Sequence, residues 1–405
     1  MKLKSIIALA LVLTVNILAA QVTPQIHGIE IIKANKIITD FDVETGAEQL
    51  HLITDRLANK KIGVIANHTS LINDKHLVDE LLALGLNVSL IFTPEHGFRG
   101  DADAGEAINN GKDKATGIKI ISLYGANKKP KLSDLLEVDI LIYDLQDVGV
   151  RFYTYISTLY YAMEACSEIN IPIVVLDRPN PNGFYVDGPT LKEGFDSFVG
   201  VLKIPVVYGM TAGEYAQMVV GESLLRENLK LDLEVIKCKG YAHSDKYQLP
   251  IKPSPNLPNM ASVYLYPSLC FFEGTIVSVG RGTDMPFQQF GHPEIKAKYT
   301  FTPTSNIGAR KPKLEGIKCF GFSVVDSADS MNKLNLNWLI QSYKELNNQE
   351  LFFLENNFID LLYGSDELRD NIKDGLTNEE IRATWKKDLD AFKLVREKYL
   401  LYSDF

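Results

Sequence analysis

The feature that most constrains this chain is a series of short, almost wholly apolar segments separated by amphipathic ones. Residues 61–67, 87–92, 118–123, 139–144 and 171–176 each read as a strand without a polar face. A strand that is apolar on both sides must be covered on both sides, which a parallel sheet flanked by helices achieves. The intervening segments supply those helices. In 73–85, Asn73 stands where a cap is needed, Leu77, Val78, Leu81 and Leu82 share a face, and Gly85 is the stop. Residues 153–169 carry Ile156, Leu159, Tyr160 and Met163 at helical spacing. A further apolar strand segment is expected over 199–207. Thr211-Ala-Gly-Glu214 is a capping box that opens a helix to about residue 225. The fold class expected over 42–225 is therefore a doubly wound α/β domain.

The second half is less regular and reads as a second α/β domain over 226–405. It carries four prolines within 250–258, strand patterns at 231–237 and 274–279, and a second capping box, Thr377 to Glu380. The helix that this box opens has Ile381, Trp385, Leu389, Phe392 and Val395 as its apolar stripe.

The N-terminus reads as an export signal. Lys2 and Lys4 precede an apolar run from Ile6 to Ala20, so residues 1–20 are taken as a signal peptide and excluded from the fold. The run is shorter than the roughly 20 residues that span a bilayer, and Gln21 stands where a lipidated Cys would be needed. No membrane anchor is expected, and the protein is placed in the periplasm or outside the cell. The net charge of −9, with no basic block, argues against nucleic acid as partner. Cys166, Cys238, Cys270 and Cys319 lack metal-ligand spacing and read as buried free thiols. Gly280-Arg-Gly282 belongs to neither a phosphate loop nor a dinucleotide fingerprint. The residues call for no cofactor and no metal.

Ligands of open parallel sheets bind beyond the carboxyl ends of the strands. Three such ends are rich in charge: Thr93-Pro-Glu-His-Gly-Phe-Arg99 with Asp101, Asp103 and Glu106 following, Asp144-Leu-Gln-Asp147 leading to Arg151 and Tyr153, and Asp177-Arg178. Glycoside hydrolysis requires a carboxylic acid to protonate the leaving oxygen, and usually a second carboxylate. Glu95, on a turn beside Phe92 and Phe98, suits the acid; its alternative is a structural ion pair with Arg99. Asp144 and Asp147 are candidates for the second carboxylate. Asp147 could instead cap a turn, and Asp144 could pair with Arg151. His96 suits the orientation of a carboxylate or a sugar hydroxyl. Asp177 and Arg178 read as a positioning pair in which the Asp holds the guanidinium. In the second half, Glu273 and Arg281 add charge, Arg281 as a carboxylate clamp, and Phe287 or Phe290 could stack on a sugar face.

Seven motifs stand in order: Thr93-Pro-Glu-His-Gly97, Tyr143-Asp-Leu-Gln-Asp-Val-Gly149, Arg151-Phe-Tyr-Thr-Tyr155, Leu176-Asp-Arg-Pro-Asn-Pro181, Tyr208-Gly-Met-Thr211, Pro255-Asn-Leu-Pro258 and Gly280-Arg-Gly-Thr283. Together they resemble the exo-β-N-acetylmuramidases of the NamZ type over nearly the whole chain after residue 20. The resemblance implies a Rossmann-like first domain, a smaller C-terminal domain and an active site in the cleft between them. It implies removal of N-acetylmuramic acid from the non-reducing ends of peptidoglycan fragments of the MurNAc-GlcNAc type, with the catalytic glutamate at Glu95. Arg151, Arg178 or Arg281 would then bind the lactyl carboxylate. The substrate's own N-acetyl group could attack the anomeric carbon, oriented by Asp144 or Asp147. Two rivals remain: a metal-dependent phosphohydrolase using the strand-end aspartates, and an exported sugar- or muropeptide-binding protein without turnover.

Overall fold

The computed structural model describes residues 37–38, 43–95, 97–99, 110–226 and 229–405. The expected signal peptide, His96 and the acids Asp101, Asp103 and Glu106 lie outside them. The apolar segments build a seven-stranded sheet: β1 Lys61–Ala66, β2 Asn87–Thr93, β3 Gly111–Lys112, β4 Lys119–Ser122, β5 Ile140–Asp144, β6 Ile173–Leu176 and β7 Leu233–Ile236. Its order is β7-β6-β5-β1-β2-β4-β3, parallel throughout except for the short antiparallel β3 edge. The chain moves outward from β1 to β2 and β4, then returns to the other side of β1 as β5. The sheet's switch point therefore lies between the carboxyl ends of β1 and β5, where this fold holds ligands.

The absence of a polar strand face follows from two cores. Ile62, Val64, Ile140, Ile142, Val174 and Leu176 pack on one face with Leu77, Val78 and Leu81 of α1 (Leu77–Ala83). Ile65, Leu141, Tyr143, Ile173 and Val175 face the other core, with α2 (Tyr155–Glu168) and α3 (Ala212–Gly221). Adjacent residues of one strand thus serve different cores, as the period of two requires. Both capping boxes form, Thr211 on α3 and Thr377 on the long helix α4 (Asn378–Arg396). The stripe of α4 is buried from Ile381 through Phe392.

Several expected elements differ. Asn73 is not a cap; it takes a left-handed φ of 52° in the hairpin before α1, and His76 caps instead, its side chain accepting from Val78 N. Of 199–207 only Pro205–Val207 is strand, paired antiparallel with Asp187–Thr190 outside the main sheet. Residues 274–279 make isolated bridges, Thr275 to Phe353 and Ser278 to Gly291, and no strand. In both stretches apolarity records burial, which irregular backbone also provides. Beyond the division drawn at residue 225, β7 completes the first sheet by pairing with β6. Residues Asn35–Phe405 form one compact unit.

The remaining chain adds a three-stranded antiparallel sheet (Gln289–His292, Cys319–Ser323 and Tyr299–Phe301) and short helices. It then returns to the first sheet. Leu401 N donates to Glu214 Oε1 at 2.7 Å, and Tyr402 Oη donates to Asp177 Oδ2 at 2.5 Å. All four cysteines are buried and free.

Candidate active site

A cleft of about 430 Å³, open to solvent, lies beside the switch point. One part of its lining is Glu95 and the run Phe152 to Tyr155; the other is Ser254, Asn256, Leu257, Tyr266, Arg281 and Phe287. Residues from both halves of the sequence therefore meet around one space.

Glu95 leaves the sheet just after β2. The turn that carries it closes with Gly97 N donating to Pro94 O at 3.4 Å, and Gly97 has a φ of 77°, which disfavours any side chain there. Glu95 is half-buried and is the one carboxylate among the described residues lining the cleft. Tyr124 hydrogen-bonds it, and burial together with the Glu95 charge pushes the Tyr124 hydroxyl up, so that it remains a donor. Arg99 does not serve as the ion-pair partner: its guanidinium is bound by Asp113 and Asp79.

Tyr153 and Tyr155 line the cleft at the start of α2. Tyr153 Oη donates to Pro253 O at 2.8 Å, and Tyr155 Oη accepts from Asn67 Nδ2 at 2.8 Å. Their rings meet edge to face at 4.8 Å. Tyr266 continues the aromatic wall to Phe287, with ring centroids 4.9 Å apart. Phe287 is buried and takes a φ of 53°, a left-handed conformation that is rare for a bulky residue and here sits at the cleft. Its ring lies under the Arg281 guanidinium, 5.0 Å from centroid to Cζ. Arg281 Nε donates to Glu273 Oε1 at 3.0 Å, leaving the outer nitrogens for a ligand. Burial pushes the Glu273 carboxyl up, but Arg281 and Lys313 outweigh it and hold the group below the usual range. Lys313 in turn donates to the carbonyls of Phe272, Thr275 and Val277, fixing the segment between Glu273 and Arg281.

The other charged candidates are withdrawn from the cleft. Asp144 is fully buried and binds Arg178 through both oxygens, at 2.5 and 3.0 Å. Arg178 is thus held by Asp144, with a further bond to Leu71 O at 2.9 Å, and not by Asp177. Asp177 accepts from Thr211 Oγ1, Gly213 N and Tyr402 Oη, and burial pushes it up to about 6. Arg151 is 1 % exposed and pairs with no carboxylate among the described residues. It donates to the carbonyls of Pro189, Ile204, Leu362 and Tyr363 at 2.7–2.9 Å, stapling distant segments. Asp147 caps its turn, with Oδ2 accepting from Gly149 N at 2.6 Å and from the Tyr208 hydroxyl. Its Oδ1 is buried without a partner, and burial pushes the carboxyl up to about 7. Phe290 is buried against Phe272 in a stacked pair, so it is no sugar platform.

The sequence reading overlooked Asn67 and Tyr124. Both follow sheet strands, β1 and β4, and the strand-end rule applied to those two ends would have found them.

A doubly wound sheet with a carboxylate and an arginine facing one cleft beside its switch point is the architecture of an α/β protein that binds a ligand beyond the strand ends. The sequence matches the N-terminal domain of exo-β-N-acetylmuramidase NamZ over residues 62–261 and the C-terminal domain over 264–402. It is 38% identical over 393 residues to the peptidoglycan β-N-acetylmuramidase NamZ of Bacillus subtilis strain 168, covering 89% of this chain and 91% of that one. Two crystal structures of DUF1343 family proteins from Bacteroides fragilis share the fold. One is 47% identical with a TM-score of 0.83, the other 31% identical with a TM-score of 0.78; each covers 90% of this chain and 100% of that chain. The chain belongs to the NamZ exo-β-N-acetylmuramidase family, and it is a glycosidase.

Proposed function

We propose that this protein is exported and releases N-acetylmuramic acid from the non-reducing ends of peptidoglycan fragments. Glu95 acts as the general acid, giving its proton to the oxygen of the departing sugar. The observation that carries this reading is the pairing within one cleft of Glu95, the one carboxylate among the described residues lining it, with Arg281, whose outer nitrogens are available. Muramic acid differs from glucosamine by a lactyl carboxylate, and a bidentate guanidinium contact selects for that group. Tyr153 and Tyr266 offer ring surface for the sugar. Asp144 and Asp147 are both enclosed and bound, which favours attack on the anomeric carbon by the substrate's own N-acetyl oxygen over attack by either aspartate. Strand-end aspartates that a phosphohydrolase would need for a metal are committed to Arg178, Thr211 and Tyr402.

The test is hydrolysis of a chromogenic β-N-acetylmuramide beside the matching β-N-acetylglucosaminide, with EDTA and a Glu95→Gln variant as controls. Release from the muramide alone, indifferent to EDTA, is expected, and the Glu95→Gln variant should lose cleavage of a MurNAc-GlcNAc disaccharide, whose leaving oxygen needs a proton. No release from either sugar would refute the reading.

A further inference from the structure

The turn bearing Glu95 is short and closes on a glycine, Gly97, so something outside it must fix where the carboxyl points. Arg99, four residues on, meets two carboxylates at once. Its Nε and Nη2 donate to Asp113 Oδ1 and Oδ2 at 2.9 and 3.0 Å. Its Nη1 and Nη2 donate to Asp79 Oδ2 and Oδ1 at 3.1 and 3.0 Å. Asp79 lies in the first turn of α1. Asp113 is buried and closes the bend between β3 and β4, accepting also from Thr116 N and Oγ1 at 3.1 and 2.8 Å. The guanidinium also lies 5.0 Å over the Phe98 ring, which meets His76 edge to face at 4.5 Å. His76 reaches back to the switch point through Nε2, 2.9 Å from Asn67 O.

One guanidinium therefore ties the Glu95 turn to α1 and to the β3–β4 bend. The second tie matters most, because β4 leads directly into Tyr124, the hydroxyl that binds Glu95. Both partners of the Glu95–Tyr124 hydrogen bond are held from the same arginine. A planar fork can satisfy two carboxylates in fixed orientation, whereas an ammonium cannot. Arg99 holds Asp113 far below the usual carboxylate range, so the pair stays ionised across the neutral range.

We infer that Arg99, with Asp79 and Asp113, is the positioning clamp for the general acid. It touches no substrate; it sets the line along which Glu95 delivers its proton. This inference rests on the glycosidase reading of Glu95.

The experiment exploits what an acid does. As the anomeric C–O bond breaks, its electron pair goes to the leaving oxygen. A sugar alkoxide needs the Glu95 proton at that moment, whereas 4-nitrophenolate departs without one. The kcat/KM for a MurNAc-GlcNAc disaccharide is divided by that for 4-nitrophenyl β-N-acetylmuramide, in the full-length protein and its variants. This ratio is independent of the fraction of folded enzyme. Arg99→Lys and the milder Asp79→Asn are compared with Glu95→Gln. The ratio is expected to fall about tenfold or more in Arg99→Lys, since misplacement by an ångström costs up to about a hundredfold, and by less in Asp79→Asn. An unchanged ratio in Arg99→Lys, whether both rates fall together or neither falls, overturns the clamp. An unchanged ratio in Glu95→Gln would instead overturn Glu95 as the acid, and wild-type inactivity on both substrates would overturn the muramidase reading itself.

Discussion

Two sets of charged residues follow the strands of the same sheet, and they behave as opposites. Those after β5 and β6 (Asp144, Asp147, Arg151, Asp177 and Arg178) are buried and turned inward, bound to one another, to backbone or to the chain's last residues. After β2, Glu95 faces a cleft completed by Arg281 from the second half, and Tyr124 after β4 hydrogen-bonds it. Position at a strand end thus marks where chemistry can be placed. What separates machinery from scaffold is whether a side chain's bonding capacity has already been spent inside the protein.

That contrast can be broken most severely at Glu95. Replacing it with Gln removes the transferable proton while keeping the shape, and kcat on a muramyl disaccharide should fall by about 10²- to 10⁴-fold with little change in thermal stability. A comparable loss in Asp144→Asn without loss of stability would erase the distinction. On the inward side, Arg151→Met leaves four buried carbonyls without their donor. Each unsatisfied group costs about 1–3 kcal/mol, so a drop in Tm of many degrees, or loss of soluble protein, is expected. An unshifted Tm would show that Arg151 is not a staple.

The pH dependence of stability sharpens the comparison further. The folded Asp147 carboxyl titrates at about 7, well above the ordinary 3.8. A carboxyl raised on folding holds its proton more tightly in the native state, so its contribution is complete below about pH 4 and is lost as the pH rises to about 7. Roughly three pKa units correspond to on the order of 4 kcal/mol. Asp147→Asn should make this slope shallower, leaving the part that Asp177 contributes, which is lost as the pH rises to about 6. The smallest effect is expected at Arg281. Arg281→Lys keeps the charge but loses the fork; the KM for muramides should rise about tenfold, or by roughly 1.4 kcal/mol, and Tm should hold. Equal activity of the variant on muramide and glucosaminide substrates would be the sharpest form of that result.

Most of the sheet was legible from the sequence because its signal is local. Strands 61–66, 87–93 and 140–144 are apolar on both faces, and Thr211 and Thr377 cap their helices through partners three residues away. The site was legible only in part. Arg151, Arg178 and Arg281 look alike as letters in an acidic chain; their fates are set by carbonyls and carboxylates up to 212 residues away in sequence. The same distance effect hid the bond between Tyr402 and Asp177, and it made the apolar runs at 199–207 and 274–279 look like strands when they are only buried. Asn67 and Tyr124 are a different case, since the rule that located Glu95 covers them too.

The return of residues 401–404 to the first sheet has a consequence for how the chain is made. The hydrogen bond from Tyr402 to Asp177 spans 225 residues, so the first domain can be synthesised in full long before its β6 end is closed. Until residues 401 and 402 have been synthesised and have left the ribosome, Asp177 and Glu214 lack the Tyr402 and Leu401 groups that satisfy them. A nonsense change just before codon 401 would therefore damage the first sheet, which is made long before it.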